Sequence, residues 1–148
     1  MIKGLLISVL FGILVHSVAA KEGLLNASYD EIVAALGKPS SHDHGQISNT
    51  QYDRYHFQTS GWKTAVLFID GKSQKLETEK TDGSAINAQE QAAIFERYDL
   101  ADINLNSKIR GWRPLAENHF IRGDGRVHVI KRGISVTVFL DDLPRDFW

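Results

Sequence analysis

Tyr29, Ile32, Val33 and Leu36 stand three, four and seven residues apart, which places them on one face of a helix. Ser28 and Glu31 frame its start as a capping box, each satisfying a backbone N–H of the other. Asp30 and Glu31 suit the positive end of the helix dipole. Gly37 followed by Pro39 ends it. About two turns of helix cannot persist alone in water, so this one must lie on an apolar surface. A second helix is predicted over residues 88–98, where Asn87 and Glu90 repeat the capping logic. Ile94, Phe95 and Tyr98 are its heavy apolar positions.

Between and after the helices the period changes to two. Residues 40–51 are polar and read as a loop. In 52–57, Tyr55 and Phe57 share one face while Arg54 and His56 share the other, as in a half-buried strand. Thr59-Ser60-Gly61 is a turn, and 62–69 is a strand rich in β-branched and aromatic residues. Asp70-Gly71 is the strongest hairpin signal, since both central positions of a type I′ turn need positive φ. The returning strand, 72–78, is mostly polar, so it lies at a sheet edge or is exposed on one face. Residues 79–85 form a charged link. Residues 100–113 show no clear period: either the helix runs on toward Leu105 or the chain is irregular. Strands return at 120–122, 126–131 and 134–140, separated by Gly123-Asp124-Gly125 and Arg132-Gly133.

The predicted order is helix, three strands, helix, three strands. The fold expected is α+β: one antiparallel sheet of about six strands with both helices on one face. Each half is a helix plus a meander, so the order also admits two diverged halves, although no residue signature aligns between them.

The first twenty residues change the picture. Lys3 precedes an apolar run from Gly4 to Val15, and Ser17-Val18-Ala19-Ala20 offers small residues before a cut. This is the pattern of a signal peptide, 1–20, cleaved after Ala20, and the run is short for a spanning helix. The mature domain expected is 21–148, roughly 128 residues, enough for one core. The sequence has no cysteine, so neither disulfides nor a cysteine-linked lipid are available and stability must come from packing. An exported protein, periplasmic or secreted, is expected. The formal charge is −1, with both signs interspersed, which disfavours nucleic acid as a partner. Three prolines and ordinary apolar content argue against disorder.

A short helix ending Leu36-Gly37-Lys38-Pro39, strands carrying Trp62, Val66 and Phe68, and Asp70-Gly71-Lys72 together resemble the SmpA/OmlA (BamE-like) module and the related β-lactamase-inhibitory-protein fold. The resemblance covers residues 32–76, about a third of the chain. It implies an exported α+β protein with helices on an antiparallel sheet, acting by binding other proteins. The outer-membrane assembly members carry a lipidated cysteine and this chain has none, so the resemblance transfers architecture and no functional residue. The second half, with Asn106-Ser107, Trp112, Arg122 and Asp124-Gly125, is similar to a tail found in secreted bacterial proteins of unassigned function.

Candidate chemistry is sparse. His42-Asp43-His44 could hold zinc or copper if His56 or His119 supplied a third ligand; a solvated polar loop is the plainer reading. Asp102, Asn104 and Asn106 have the first spacings of a calcium loop, but Ser107 replaces its glycine and Arg113 its glutamate. Arg122-Gly123-Asp124 spells an adhesion tripeptide that turn chemistry already explains. Asn26-Ala27-Ser28 matches a glycosylation acceptor, yet Ser28 is the helix cap. No nucleophile elbow, phosphate loop or dinucleotide fingerprint occurs. Asp141-Asp142 and Glu77/Glu79 are solvated acids rather than acid–base pairs. Trp62, Trp112 and Phe147-Trp148 either complete the core or line a binding surface. No catalytic, metal or cofactor residue is therefore assigned. The expectation is a non-enzymatic exported domain binding a protein or envelope component, with a small metal-dependent hydrolase or a small-ligand carrier as rivals.

Overall fold

The computed structural model describes residues 23–98, 100 and 111–148. The leader expected at 1–20 and most of the stretch 100–113 thus lie outside the described residues. Two helices, α1 (Tyr29–Leu36) and α2 (Ala88–Arg97), accompany eight strands: β1 (Ser41–Ile47), β2 (Thr50–Thr59), β3 (Trp62–Ile69), β4 (Lys72–Lys80), β5 (Trp112–Ala116), β6 (His119–Arg122), β7 (Val127–Arg132) and β8 (Ser135–Leu140). All pair antiparallel in one sheet of order β1-β2-β3-β4-β8-β7-β6-β5. The α+β class holds; the sheet has eight strands rather than six.

Both added strands are the outermost ones, β1 and β5. An outer strand has a single neighbour and need not carry an apolar alternation. Ser41-His42-Asp43-His44-Gly45-Gln46-Ile47 has none, which is why it reads as loop. Its hairpin to β2 turns at Ser48, which takes φ 52°. A Cβ at Gly45 would stand 2.7 Å from the Tyr52 hydroxyl on β2, so the glycine lets that ring lie across the edge strand. β4 is central, between β3 and β8, and is exposed on one face only: Leu76 and Thr78 are buried while Glu79 is exposed. Ile134 belongs to the turn before β8, and every residue of β8 is buried.

The predicted caps form. Ser28 and Glu31 make the full capping box on α1, and Asn87 and Glu90 on α2. Hydrogen bonds from Ser28 hold the Glu31 carboxyl below its usual range. Asp70 and Gly71 both adopt positive φ, 51° and 73°, as a type I′ turn requires.

One face of the sheet carries both helices. Ile32 and Leu36 of α1, Ile94 and Phe95 of α2, and Tyr98 pack with Phe57, Val66, Leu76, Val129, Val136 and Val138 in one cluster. Burial of an Ile or Leu side chain contributes about 2 kcal/mol, and two such residues anchor the short α1. The other face, here the open face, has a smaller cluster: Leu67 and Phe139 from the sheet, Leu143 and Phe147 from the tail.

The lead-in to α1 is fastened to both halves. Leu24 N donates to Tyr98 O at 3.1 Å, and Asn26 N to Ser73 O at 2.7 Å. Ser73, fully buried in β4, accepts from Ala27 N through its hydroxyl at 2.9 Å, donates that hydroxyl to Leu24 O, and donates its own N–H to Ala27 O at 2.9 Å. Gly23 (φ 66°) lies so close to Tyr98 that a Cβ would stand 1.8 Å from the carbonyl oxygen.

Candidate functional site

Strand register defines what the open face presents. One row across the sheet is Ser41, His56, Ala65, Glu77, Thr137, Ile130 and His119. The next is Asp43, Arg54, Leu67, Lys75, Phe139, His128 and Ile121. A period of two puts all of these on one side. Charged groups thus concentrate on β1–β4, and histidine and aromatic groups on β6–β8.

The tail crosses the second row. Lys75 Nζ donates to Phe147 O at 2.9 Å, Trp148 Nε1 to Leu143 O at 2.7 Å, and Ser48 Oγ to Asp146 at 2.7 Å. Burial pushes the Lys75 ammonium below its ordinary pKa, against the pull of Glu77. Beside the tail lies a recess of about 330 Å³ bordered by Arg54, His56, Leu67, Lys75, Glu77, Phe147 and Trp148. Phe147 and Trp148 therefore complete the second cluster and also wall this recess. Trp112 is buried under the helices, and Trp62 is half-buried beside α2.

His42-Asp43-His44 lies on a strand, so alternation splits it. His42 stacks on Tyr55 (centroids 4.2 Å apart, planes 7°) and its Nε2 meets Asp53 at 2.9 Å. Asp43 points to the other face, 2.8 Å from His56 Nε2 and 3.8 Å from Arg54. His56 is thus on the wrong face to join His42 and His44, and His119 is near the opposite end of the sheet. His42 and His44 share a face, their rings 6.2 Å apart, but no third ligand joins them, and among the described residues no group of three or more His, Asp or Glu could hold a metal. Asp102, Asn104 and Asn106 lie outside the described residues. Arg122 and Asp124 pair at the β6–β7 tip, Nε to both carboxylate oxygens at 2.9 Å, and that guanidinium holds the Asp124 carboxyl below the usual range. Glu77 and Glu79 project from the open face, two residues apart on β4.

A cluster absent from the sequence reading stands at the other end of the tail. His128, 2 % exposed, lies parallel to Phe139 (4.9 Å, 10°) and under Trp148 (5.0 Å). Its Nε2 is 2.7 Å from Asp141 Oδ1, and its Nδ1 is 2.9 Å from His119 Nε2. An ionised carboxylate only accepts, so Nε2 of His128 carries the proton. With a neutral His128 ring, Nδ1 then accepts from His119 Nε2–H, and the chain Asp141–His128–His119 fixes the tautomer of both rings.

Burial, with His128 beside it, holds the His119 pKa below the ordinary value. The unfolded chain then binds this proton more readily than the folded one, so stability rises with pH. His119 is expected to contribute fully above about pH 6.5 and to lose that contribution as pH falls toward its lowered pKa. Melting temperatures between pH 7 and 5 check this: the slope should flatten in His119→Gln. An unchanged slope in the variant would refute the assignment.

No known protein family, curated protein or solved structure matches the chain.

Proposed function

We propose that this chain is an exported, non-enzymatic binding domain whose open sheet face docks a protein or envelope component. The observation that carries this reading is the asymmetry of the sheet. Two helices cover one face, while the β1–β4 half of the other presents Arg54, His56, Lys75 and Glu77, half-buried around an apolar floor of Leu67 and a wall of Trp148. An apolar centre with a charged rim is how recognition surfaces are built. Its mixed signs suit a folded protein surface rather than a polyanion. The leader-like start and the resemblance at residues 32–76 support the same reading. Two diverged halves fit it too, because helix plus four-strand meander occurs twice, and the two meet at β4 and β8.

The test is site-specific photo-crosslinking in envelope extract. A photoreactive residue at Gln58 or Glu79, both exposed on the open face, should trap a discrete partner. The same group at Ala35, exposed on α1, should not. Equal capture from Ala35, or none from the open face, defeats the proposal.

A further inference from the structure

The recess between α2 and the sheet has a different chemistry from the open face. Its volume is about 220 Å³, enough for a molecule of roughly six to ten non-hydrogen atoms. Trp62, Ile94 and Ala93 form apolar walls. Its floor is three buried hydroxyls, Thr64, Thr78 and Tyr98. Thr64 Oγ1 is 3.0 Å from Thr78 Oγ1 and 3.4 Å from Tyr98 Oη, and Thr78 Oγ1 bonds Tyr98 Oη as well.

Three hydroxyls closed into a triangle use their three protons on one another. Each oxygen keeps a second lone pair, so the floor has accepting capacity and no donor to spare. We propose that this recess binds a small, mostly apolar molecule carrying one neutral hydrogen-bond donor, with the hydroxyl triangle accepting that donor and Trp62 and Ile94 holding the apolar body. Pockets of this kind combine apolar walls with few convergent polar groups. Burial raises the Tyr98 pKa, which keeps its phenol protonated and the triangle complete. At the rim, Glu90 is taken up by Lys80 at 2.8 Å, which leaves Arg97 as the charged alternative for an anionic ligand.

Phenol, toluene and benzoate share one ring and differ only in the polar group. The full chain is titrated with each, following the Trp62 indole N–H and the Ile94 and Tyr98 amides by NMR. Phenol should saturate these signals and bind about fivefold to tenfold tighter than toluene, the worth of one hydrogen bond; benzoate should be weaker than phenol. Thr78→Val, which removes one of the three acceptors, should weaken phenol and leave toluene unchanged. Ala93→Phe, at an exposed helix position, should close the mouth to both. The proposal is overturned if no saturable shift appears at Trp62, if toluene matches phenol, or if benzoate binds best, which would make the recess an Arg97 anion site.

Discussion

His128→Ala should lower the unfolding free energy by about 3–5 kcal/mol, the range for truncating a large buried ring. The ring packs against both Phe139 and Trp148, which also touch each other, so its removal opens a void that the paired strands β7 and β8 cannot easily close. The loss is also chemical. His119 Nε2, half-buried, gives up its partner, and a polar group left unpaired away from water costs more than the bond it had made; Asp141, more than half exposed, turns to water instead. Urea unfolding followed by tryptophan emission measures this directly, since Trp148 reports on the site. His119→Ala should cost far less, because that ring is only half-buried. A loss under about 1 kcal/mol for His128→Ala would mean that the chain Asp141–His128–His119 is not a fixed element of the fold.

Gly23→Ala is the second large effect. The added methyl would stand 1.8 Å from a backbone oxygen of Tyr98, at positive φ, and neither backbone can give way without breaking Leu24 N–Tyr98 O. A loss of at least about 2 kcal/mol is expected. Gly71→Ala separates the causes. Gly71 also has positive φ, but nothing lies within 4 Å of its Cβ position, so only left-handed strain of about 1 kcal/mol applies. Chemical denaturation gives both values. Hydrogen exchange at the Asn26 and Ser73 amides, which join the lead-in to β4, should accelerate in Gly23→Ala alone. Equal losses for the two variants would show that the close approach to Tyr98 does not matter.

The elements that were legible in the sequence are those whose signals are local. Ser28 with Glu31 and Asn87 with Glu90 define helix starts within four residues, and Asp70-Gly71 defines a hairpin within two. The alternation of Tyr55 and Phe57 against Arg54 and His56 places β2 on the correct faces. The outer strands were not legible because β1 buries little, and a strand that buries little has no hydrophobic period. Sites that depend on register were also hidden. His128 and Asp141 are thirteen residues apart and meet only because Gly133 turns the chain so that His128 opposes Phe139. Thr64, Thr78 and Tyr98 come from two strands and the end of a helix, and no spacing along the chain announces them. Conversely, the adjacency of His42-Asp43-His44 suggests a cluster, but a strand sends Asp43 to the face opposite the two histidines and leaves them without a third ligand.

The seam between β4 and β8 has a consequence for folding. Hairpins such as β3–β4 and β7–β8 close within a few residues, whereas the seam pairs Leu76 with Val138 across most of the domain. Contacts so distant in sequence are the slow ones to form. Until the seam closes, β4 and β8 are each the bare edge of a separate four-stranded meander, and β8 displays Val136, Val138 and Phe139 beside unpaired backbone. Such edges are templates for pairing with the wrong chain. The protection against aggregation therefore resides in the last contact made, and a newly synthesised chain is most vulnerable just before its two halves join.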